Sequence, residues 1–280
     1  MSSTHTLAPV PTPVPEEVGR LYDRLTALDT AKTGGSLHLG YWDPEDDEVP
    51  LVEAADRLTD MMTDRLGIDE NHRVLDVGCG VGQPAMRIAR RTGAHVTGIS
   101  ISHDQIGRAT ELAEAAGLGG RVEFRHADAM RLPFEDDSFD AAIAIESVFH
   151  MPDREQVFSE IRRVLRPGGR LVLTDFFERA PIPADKRPAV DRLLRDFIMT
   201  LAQPEDYVPM LRRAGLRFVE LLDITERSVR QTFEQMSRTT HGEEEMQTAF
   251  DEEADEKFSP AAMLGVDEFG SVLLTAQKPA

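Results

Sequence analysis

The sequence predicts an α/β protein built on a doubly wound, mostly parallel β-sheet, and two observations predict it. From residue 73 to about residue 180, short apolar runs alternate with amphipathic helical patterns, which is typical of a parallel sheet covered by helices on both faces. The first run, Arg73 to Val77, continues directly into a turn with glycine at every second position, and a helical pattern follows at once. Because glycine allows a sharp turn and a close approach to a ligand, we expect a nucleotide-type site at the carboxyl end of this strand.

A mainly helical N-terminal extension precedes the sheet. The first residues carry prolines at alternate positions up to Pro15 and are predicted to form a flexible arm. Pro15 begins a helix with two glutamates in its first turn, where negative charge suits the helix dipole. A second amphipathic helix is predicted over residues 50–66. The predicted units are a proline-rich arm at residues 1–15, a helical cap at residues 16–70 and the main domain at residues 71–280.

Seven strands are predicted, and a helix over about residues 83–91 follows the first of them. The stretch Leu-Arg-Pro-Gly-Gly at residues 165–169 is interpreted as the end of a helix before the fifth strand. The last two strands are expected to pair antiparallel at one side of the sheet. The acidic helical segment between them, about residues 226–265, is expected to form an inserted lid. The predicted strands cover residues 73–77, 95–99, 121–126, 139–145, 170–176, 217–225 and 270–277.

Composition and charge narrow the class of protein. The net charge is −19, so the phosphates of DNA and RNA would be repelled and we expect no nucleic-acid partner. The sequence has no apolar run of about 18 residues that would span a membrane, and its first residues do not resemble a secretory signal. Cys79 is the only cysteine. A single thiol cannot form an intramolecular disulfide and fits the reducing cytoplasm, where we expect the protein.

The glycine turn also carries a recognisable family motif. From Asp76 to Gly82 the chain has the pattern D-x-G-x-G-x-G, which resembles motif I of the class I S-adenosylmethionine-dependent methyltransferases. The glycine spacing differs from the G-x-G-x-x-G of dinucleotide-binding proteins, and Ser100 stands where those proteins have an acidic ribose ligand. A nicotinamide dehydrogenase is therefore a disfavoured alternative. The resemblance implies a Rossmann-like fold with a seven-stranded sheet, and S-adenosylmethionine as the cofactor.

The same resemblance implies a set of contacts to the cofactor. Ser100 replaces the acidic residue that usually ends the second strand, so Ser100 and Gln105 are the candidates for the ribose side. Asp128, after the third strand, corresponds to the contact with the adenine amino group. Trp42 is expected to close over the methionine end of the cofactor, with packing of its loop onto the core as the alternative. The candidate cofactor-binding residues are Trp42, Asp76, Gly78, Gly80, Gly82, Ser100, Gln105, Asp128, Ala129 and Glu146, and no metal site is predicted.

A closer resemblance is to rebeccamycin-type sugar O-methyltransferases of actinomycete secondary metabolism, which are sister to the sterol and terpenoid C-methyltransferases. The shared stretches include GYW, DVGCG, VTGISIS, ADAM, LPFED and VLRPGG. In the O-methyltransferases, two consecutive histidines precede Met-Pro-Asp, and an aspartate at the end of the fifth strand assists them. This chain keeps the second histidine as His150 and the aspartate as Asp175, but Phe149 replaces the first histidine.

This substitution leaves two reactions open. Phenylalanine cannot receive a proton, but its ring can face a developing carbocation, as the resemblance to terpenoid and teleocidin-type C-methyltransferases implies. The sequence therefore favours methylation of an alkene carbon, with His150 or Asp175 taking a proton later. The alternative is methylation of a sugar or other hydroxyl with His150 as general base, while Phe149 packs the pocket wall. A cofactor-binding protein or cyclase that transfers no methyl group is a third hypothesis.

The expected acceptor is a bulky hydrophobic natural product of secondary metabolism, for example in antibiotic or terpenoid biosynthesis. The apolar stripe of the first helix, beside Tyr22, predicts that the N-terminal arm and helix form part of the acceptor pocket or a contact between copies of the chain. The catalytic candidates are His150, Asp175 and Phe149, and the substrate-binding candidates are Tyr22, Phe149, Phe176 and Phe177.

Overall fold

The structure is a computed structural model that describes residues 10, 12–27, 38–44, 48–238 and 258–280. Its centre is a sheet of seven strands: β1 (Arg73–Val77), β2 (His95–Ser100), β3 (Val122–His126), β4 (Phe139–Ile145), β5 (Leu165–Glu178), β6 (Arg217–Asp223) and β7 (Phe269–Gln277). The strand order is β3-β2-β1-β4-β5-β7-β6. β7 runs antiparallel to both of its neighbours, and the other neighbouring pairs are parallel.

Helices cover both faces of this sheet, because the strands bury apolar side chains on both sides. Val74 and Ile143 contribute to one hydrophobic core, whereas Leu75 and Ala142 contribute to the other. This alternation is expected of a strand pattern with a period of two. The helices are α1 (Pro15–Ala27), α2 (Leu51–Leu66), α3 (Gln83–Thr92), α4 (His103–Ala115), α5 (Arg154–Val164), α6 (Arg187–Asp196), α7 (Tyr207–Arg213) and α8 (Val229–Arg238).

The predicted fold class is confirmed, including the antiparallel pairing of the last two strands. The start of the fifth strand was predicted too late. Residues 165–169 were interpreted as a helix end, but α5 ends at Val164 and Leu165 already pairs with Phe139 of β4. The ladder is irregular before Arg170 pairs with Ala141. The Pro-Gly-Gly sequence therefore makes a bulge inside β5, which fits the place of glycine and proline in strands.

The N-terminal cap is fixed to the sheet domain through the start of α4. The carboxylate of Asp23, in α1, accepts a hydrogen bond from the Ser102 hydroxyl at 2.5 Å and from the Asp104 N–H at 3.3 Å. Ser102 is also the N-cap of α4, where its hydroxyl oxygen accepts from the Gln105 N–H. The cap thus completes the N-terminus of a helix that borders the glycine turn.

The predicted arm and lid fall partly outside the described residues. Residues 1–9 and 11 of the arm, and residues 239–257 of the lid, are not among them. The described part of the lid contains α8 and a short 3₁₀ turn, Pro260–Met263. The boundaries of the arm, cap and lid stay predictions. Within the described ranges, every helix is too short or too polar to cross a membrane.

Candidate active site

A cavity lies at the carboxyl ends of the parallel strands, where ligands bind in doubly wound sheets. α1, the loop at residues 38–39 and the segment that follows α6 close it from the other side. It brings together residues that are far apart in the sequence. Those that line it include Val18, Tyr22, Leu25, His38, Leu39, Asp76, Gly78, Gly80, Ser100, Gln105, Asp128, Ala129, Glu146, Phe149, His150, Phe176, Phe197 and Met199.

The glycine turn leaves open space only at its middle glycine. The φ angles of Gly78, Gly80 and Gly82 are 79°, 54° and 82°, all in the left-handed region that favours glycine. A Cβ on Gly78 would lie 2.3 Å from Ser147 Cβ, and one on Gly82 would lie 2.4 Å from Phe124 Cζ. A Cβ on Gly80 would have only Gln105 Nε2 nearby, at 3.9 Å. Gly78 and Gly82 thus permit close packing, and Gly80 borders the space that a ligand would occupy.

Three carboxylates line the part of the cavity beside the glycine turn. Asp76 is 1% exposed, and its Oδ2 has no hydrogen-bond partner; burial raises its pKa to about 7. Burial also raises the pKa of Glu146 to about 8, with a smaller contribution from the charge of Asp175, although the Leu39 N–H donates to Glu146 Oε1 at 2.9 Å. Asp128 accepts from the Met130 N–H at 2.8 Å. An unpartnered buried carboxylate oxygen suits a cationic ligand.

The two ribose candidates contact each other. The hydroxyl of Ser100 donates to Gln105 Oε1 at 2.7 Å, and the Ser102 N–H donates to the Ser100 hydroxyl oxygen at 3.1 Å. With its Oε1 held in this way, Gln105 turns its Nε2 toward the glycine turn at Gly80. A serine and a glutamine in this arrangement offer both donors and acceptors to the hydroxyls of a sugar.

His150 lies at the opposite side of the cavity, between Tyr22 and a backbone carbonyl. Its Nδ1 is 3.1 Å from the Ile198 carbonyl oxygen, and its Nε2 is 2.7 Å from the Tyr22 hydroxyl. Because a carbonyl oxygen only accepts, Nδ1 carries the proton and Nε2 accepts from Tyr22. Burial lowers the pKa of His150 to about 4, so the imidazole is neutral at neutral pH. Burial and the charge of Glu146 raise the pKa of Tyr22, which keeps the phenol protonated.

Aromatic rings form the wall beside His150. Phe149 stacks on Phe176 with ring centroids 5.0 Å apart and an interplanar angle of 22°. The Phe149 ring also meets the His150 ring, with centroids 4.4 Å apart at 66°. Phe176 continues the contact to Phe269 at 4.9 Å. Phe149 is therefore part of a packed aromatic cluster that also borders the cavity.

Comparison with known proteins gives the family. A family model described as a methyltransferase domain matches residues 75–173. The chain is 40% identical over 270 residues to the methyltransferase GfsG of Streptomyces halstedii, covering 94% of each chain. It is 39% identical over 272 residues to the 27-O-demethylrifamycin SV methyltransferase of Amycolatopsis mediterranei, covering 95% of this chain and 98% of that one. The chain belongs to the methyltransferases.

The cofactor of this methyltransferase is S-adenosylmethionine, and the cavity fits it. The carboxylates of Asp76 and Glu146 suit its positive charges, and the space beside Gly80 admits it. The predicted family of secondary-metabolite methyltransferases is confirmed. The fold is also shared with a protein of another activity: the crystal structure of the cyclase SpnF has a TM-score of 0.77 at 34% identity, covering 98% of this chain and 100% of that one.

Four predicted site residues of the methyltransferase do not line the cavity. Trp42 is 1% exposed, and its indole N–H donates to the Val49 carbonyl at 3.0 Å. This placement favours the alternative in which Trp42 packs its loop onto the core, and its cofactor contact stays a prediction. Gly82 packs against Phe124, as described above. Phe177 belongs to the hydrophobic core on the other face of the sheet from Phe176, because successive strand residues point to opposite faces.

Asp175 is the fourth predicted site residue that does not line the cavity, because it is fully buried behind the cavity wall. Its carboxylate is paired with Arg154 and does not contact His150. The direct assistance to His150 that the resemblance implied therefore has no support in this geometry. Arg154, which binds Asp175, and Thr200, which Arg154 also binds, were not predicted from the sequence.

Two further contributors to the cavity were also missed. The Leu39 N–H binds Glu146, and no sequence pattern indicates this contact because a backbone N–H can donate whatever its side chain is. Ile198 has a φ of 53°, and its carbonyl holds His150. No sequence pattern pointed to it, since glycine is the residue expected at such a position.

Proposed function

We propose that this methyltransferase transfers the methyl group of S-adenosylmethionine to a hydroxyl oxygen of a bulky, mainly apolar natural product, with His150 as general base. One observation carries the proposal: the lone pair of His150 Nε2 faces Tyr22 at the cavity wall, while Nδ1 is fixed by the Ile198 carbonyl. A neutral imidazole held in this tautomer is ready to receive a proton.

The proton balance supports His150 rather than Tyr22 as the base. When bound, the cofactor supplies an electrophilic methyl group, and the acceptor oxygen forms a bond to this carbon as the carbon–sulfur bond breaks. The oxygen becomes strongly acidic as that bond forms, so a base with a pKa of about 4 is sufficient. The raised pKa of Tyr22 excludes a phenolate as the base. Tyr22 can instead relay the proton: its hydroxyl donates its own proton to His150 Nε2 and its oxygen takes the proton of the acceptor, so that it ends as a neutral phenol.

The walls of the cavity support the class of acceptor. Beside His150 the lining is apolar, with aromatic and aliphatic side chains from α1, β5 and the segment after α6. The acidic groups at the other end attract the cationic cofactor and repel an anionic acceptor. The name of the relative from Amycolatopsis mediterranei, a 27-O-demethylrifamycin SV methyltransferase, is consistent with methylation of an acceptor oxygen.

Carbon methylation, which the sequence favoured, keeps one supporting observation. Phe149 borders the cavity, where its ring would stabilise a carbocation. Against this, Phe176 covers Phe149 by stacking, and the neutral histidine has no role in the first step.

The cyclase hypothesis is supported by the similarity to SpnF. The cofactor site proposed at Asp76 and Gly80 is compatible both with methyl transfer and with cyclisation.

Product analysis separates these functions. The protein is incubated with S-adenosylmethionine labelled with ¹³C in its methyl group and with hydroxylated apolar natural products, and the product is examined by carbon NMR. We expect a new O–CH₃ signal and a loss of about 10²–10⁴-fold in rate for His150→Ala. His95→Ala, an exposed histidine at the far end of β2, is the matched control and should keep the full rate.

Two outcomes would overturn the proposal. A new C–CH₃ signal, with Phe149→Ala slower than His150→Ala, would establish carbon methylation. A rearranged acceptor without the label, formed in the presence of bound cofactor, would establish a cyclase.

A further inference from the structure

Asp175 is fully buried at the end of β5, and both of its oxygens are bound. Arg154, in the first turn of α5, places its Nε 2.8 Å from Oδ2 and its Nη2 3.2 Å from Oδ1. The Tyr207 hydroxyl donates to Oδ2 at 2.8 Å, and the Phe176 N–H donates to Oδ1 at 2.9 Å. A buried charge is costly unless it is paired and hydrogen-bonded. This network therefore fixes the Arg154 guanidinium in one orientation.

The same guanidinium holds the segment that follows α6. Its Nη1 donates to the Thr200 hydroxyl oxygen at 2.7 Å, and its Nη2 donates to the Thr200 carbonyl at 2.7 Å. Thr200 in turn donates from its N–H at 3.0 Å, and from its hydroxyl at 3.2 Å, to the Phe149 carbonyl. Arg154 thus connects the end of β5 to the turn after α6 and to the backbone next to His150.

Ile198, in this turn, has a backbone conformation that isoleucine rarely adopts. It follows the C-cap of α6 with a φ of 53°, at the position where glycine is preferred. Its N–H donates to the Arg195 carbonyl at 3.1 Å, and the Met199 N–H donates to the Leu194 carbonyl at 2.8 Å. A β-branched residue in this region is a genuine outlier, and such outliers persist where the surroundings over-determine them, often at functional sites. The Ile198 carbonyl is the group that binds His150 Nδ1.

We propose that Arg154 and Thr200 are positioning residues: with the guanidinium fixed by Asp175, they hold the Ile198 carbonyl against His150 Nδ1. The proton then stays on Nδ1, and Nε2 keeps the lone pair that accepts from Tyr22 at the cavity wall. The proposal rests on the proposed role of His150 as base. It gives the carboxylate at the end of β5 a function although Asp175 and His150 do not touch. If the turn moves, the tautomer with its proton on Nε2 becomes populated, and that tautomer cannot accept a proton from the acceptor.

The tautomer of His150 can be measured without turnover. Nitrogen NMR of the folded protein labelled in its histidines, assigned with His150→Ala, should show the Nδ1–H tautomer in the wild type. Asp175→Asn and the nearly isosteric Thr200→Val should each shift the population toward Nε2–H. Both variants should also lower kcat at least about tenfold, since a misoriented catalytic histidine is costly. The KM for the acceptor and the Kd for S-adenosylmethionine should stay unchanged.

Two more variants separate positioning from simple stabilisation. Arg154→Lys keeps the charge but loses the fork that reaches both Asp175 and Thr200, so it should behave like Asp175→Asn. Arg213→Gln is the control. It breaks the exposed ion pair, 2.7 Å long, between Arg213 of α7 and Glu155 of α5, the helix that carries Arg154, and it should change neither the tautomer of His150 nor kcat. An unchanged tautomer in Asp175→Asn and Thr200→Val would overturn the proposal. If the tautomer shifts as expected but His150→Ala keeps its rate, the proposed role of His150 as base fails instead.

Discussion

At the scale of single residues, the site uses groups that are costly to keep buried. Asp76 and Glu146 have raised pKa values, and Glu146 also has a positive φ of 47°. Groups of this kind cluster at functional sites, because their free-energy cost is offset elsewhere in the fold. A cationic cofactor, when bound, would compensate both carboxylates.

Gly80→Val should abolish cofactor binding. The valine side chain would enter the open space of the cavity, and its left-handed φ would cost about 1–2 kcal/mol in stability. Gly117→Val is the matched control, because Gly117 has a φ of 70° with no atom near its added Cβ. It should lose similar stability and bind S-adenosylhomocysteine normally. Isothermal titration of both variants, with thermal unfolding, measures the two effects; normal binding by Gly80→Val would contradict the placement of the cofactor.

Cofactor affinity should increase with pH between about pH 6 and about pH 8. In this range Asp76 and Glu146, with pKa values of about 7 and about 8, lose protons that a cation would otherwise displace. Each group can change the Kd by at most about tenfold per pH unit. Titrations in buffers of different ionisation enthalpy should detect proton release below about pH 8. Glu146→Gln should flatten the dependence, and a Kd that is constant across the range in the wild type would argue against these pKa values.

At the scale of elements, α1 lines the candidate active site and is more than a surface cap. Its stripe of Val18, Tyr22 and Leu25 faces the cavity, and Tyr22 reaches His150. That the first helix forms part of the acceptor pocket stays a prediction, which this placement supports. A contact between copies of the chain through the N-terminal arm stays a prediction.

Asp23→Ala should loosen α1 from α4. It removes the carboxylate that binds Ser102 and Asp104. Because a hydrogen bond to a charged group contributes about 1.5–3 kcal/mol to stability, the free energy of unfolding should fall by about this amount. We expect a higher KM for the acceptor and faster hydrogen exchange in α1. Arg20→Ala, an exposed residue of the same helix, is the control and should change neither. Unchanged exchange in Asp23→Ala would show that apolar packing alone holds the helix.

At the scale of the whole molecule, the sheet edge, α1 and the segments around α6 and α8 all line one cavity. A ligand that binds only the folded state stabilises it by mass action. At about 100 times its Kd, S-adenosylhomocysteine should add about 2.7 kcal/mol. That gain corresponds to a rise in Tm of about 5–10 °C for a chain of this size. Gly80→Val should show no such rise, and an unshifted Tm of the wild type under saturating ligand would contradict a single cooperative unit.

The sequence by itself determined the sheet, the glycine turn and the family, because these depend on local patterns. An apolar run that ends in alternating glycines specifies a strand and a turn without reference to distant residues. The same holds for the mostly parallel pairing of the strands, since alternating strand and helix patterns favour it; the strand order came from the structure. The predicted residues at the strand ends, such as Asp76, Ser100 and Glu146, line the cavity, and their contacts with the cofactor stay predictions.

The tertiary structure alone decided which of the neighbouring residues face the cavity and what they bind. Phe176 and Phe177 are adjacent in the sequence, but the pleat of β5 puts them on opposite faces. Tyr22 and His150 are 128 positions apart, and only the packing of α1 over the sheet edge joins them. Asp175 faces Arg154 because a buried carboxylate needs a compensating charge, a partner that no local pattern announces. The orientation of His150 depends on these long-range contacts, and so does its proposed role as a base.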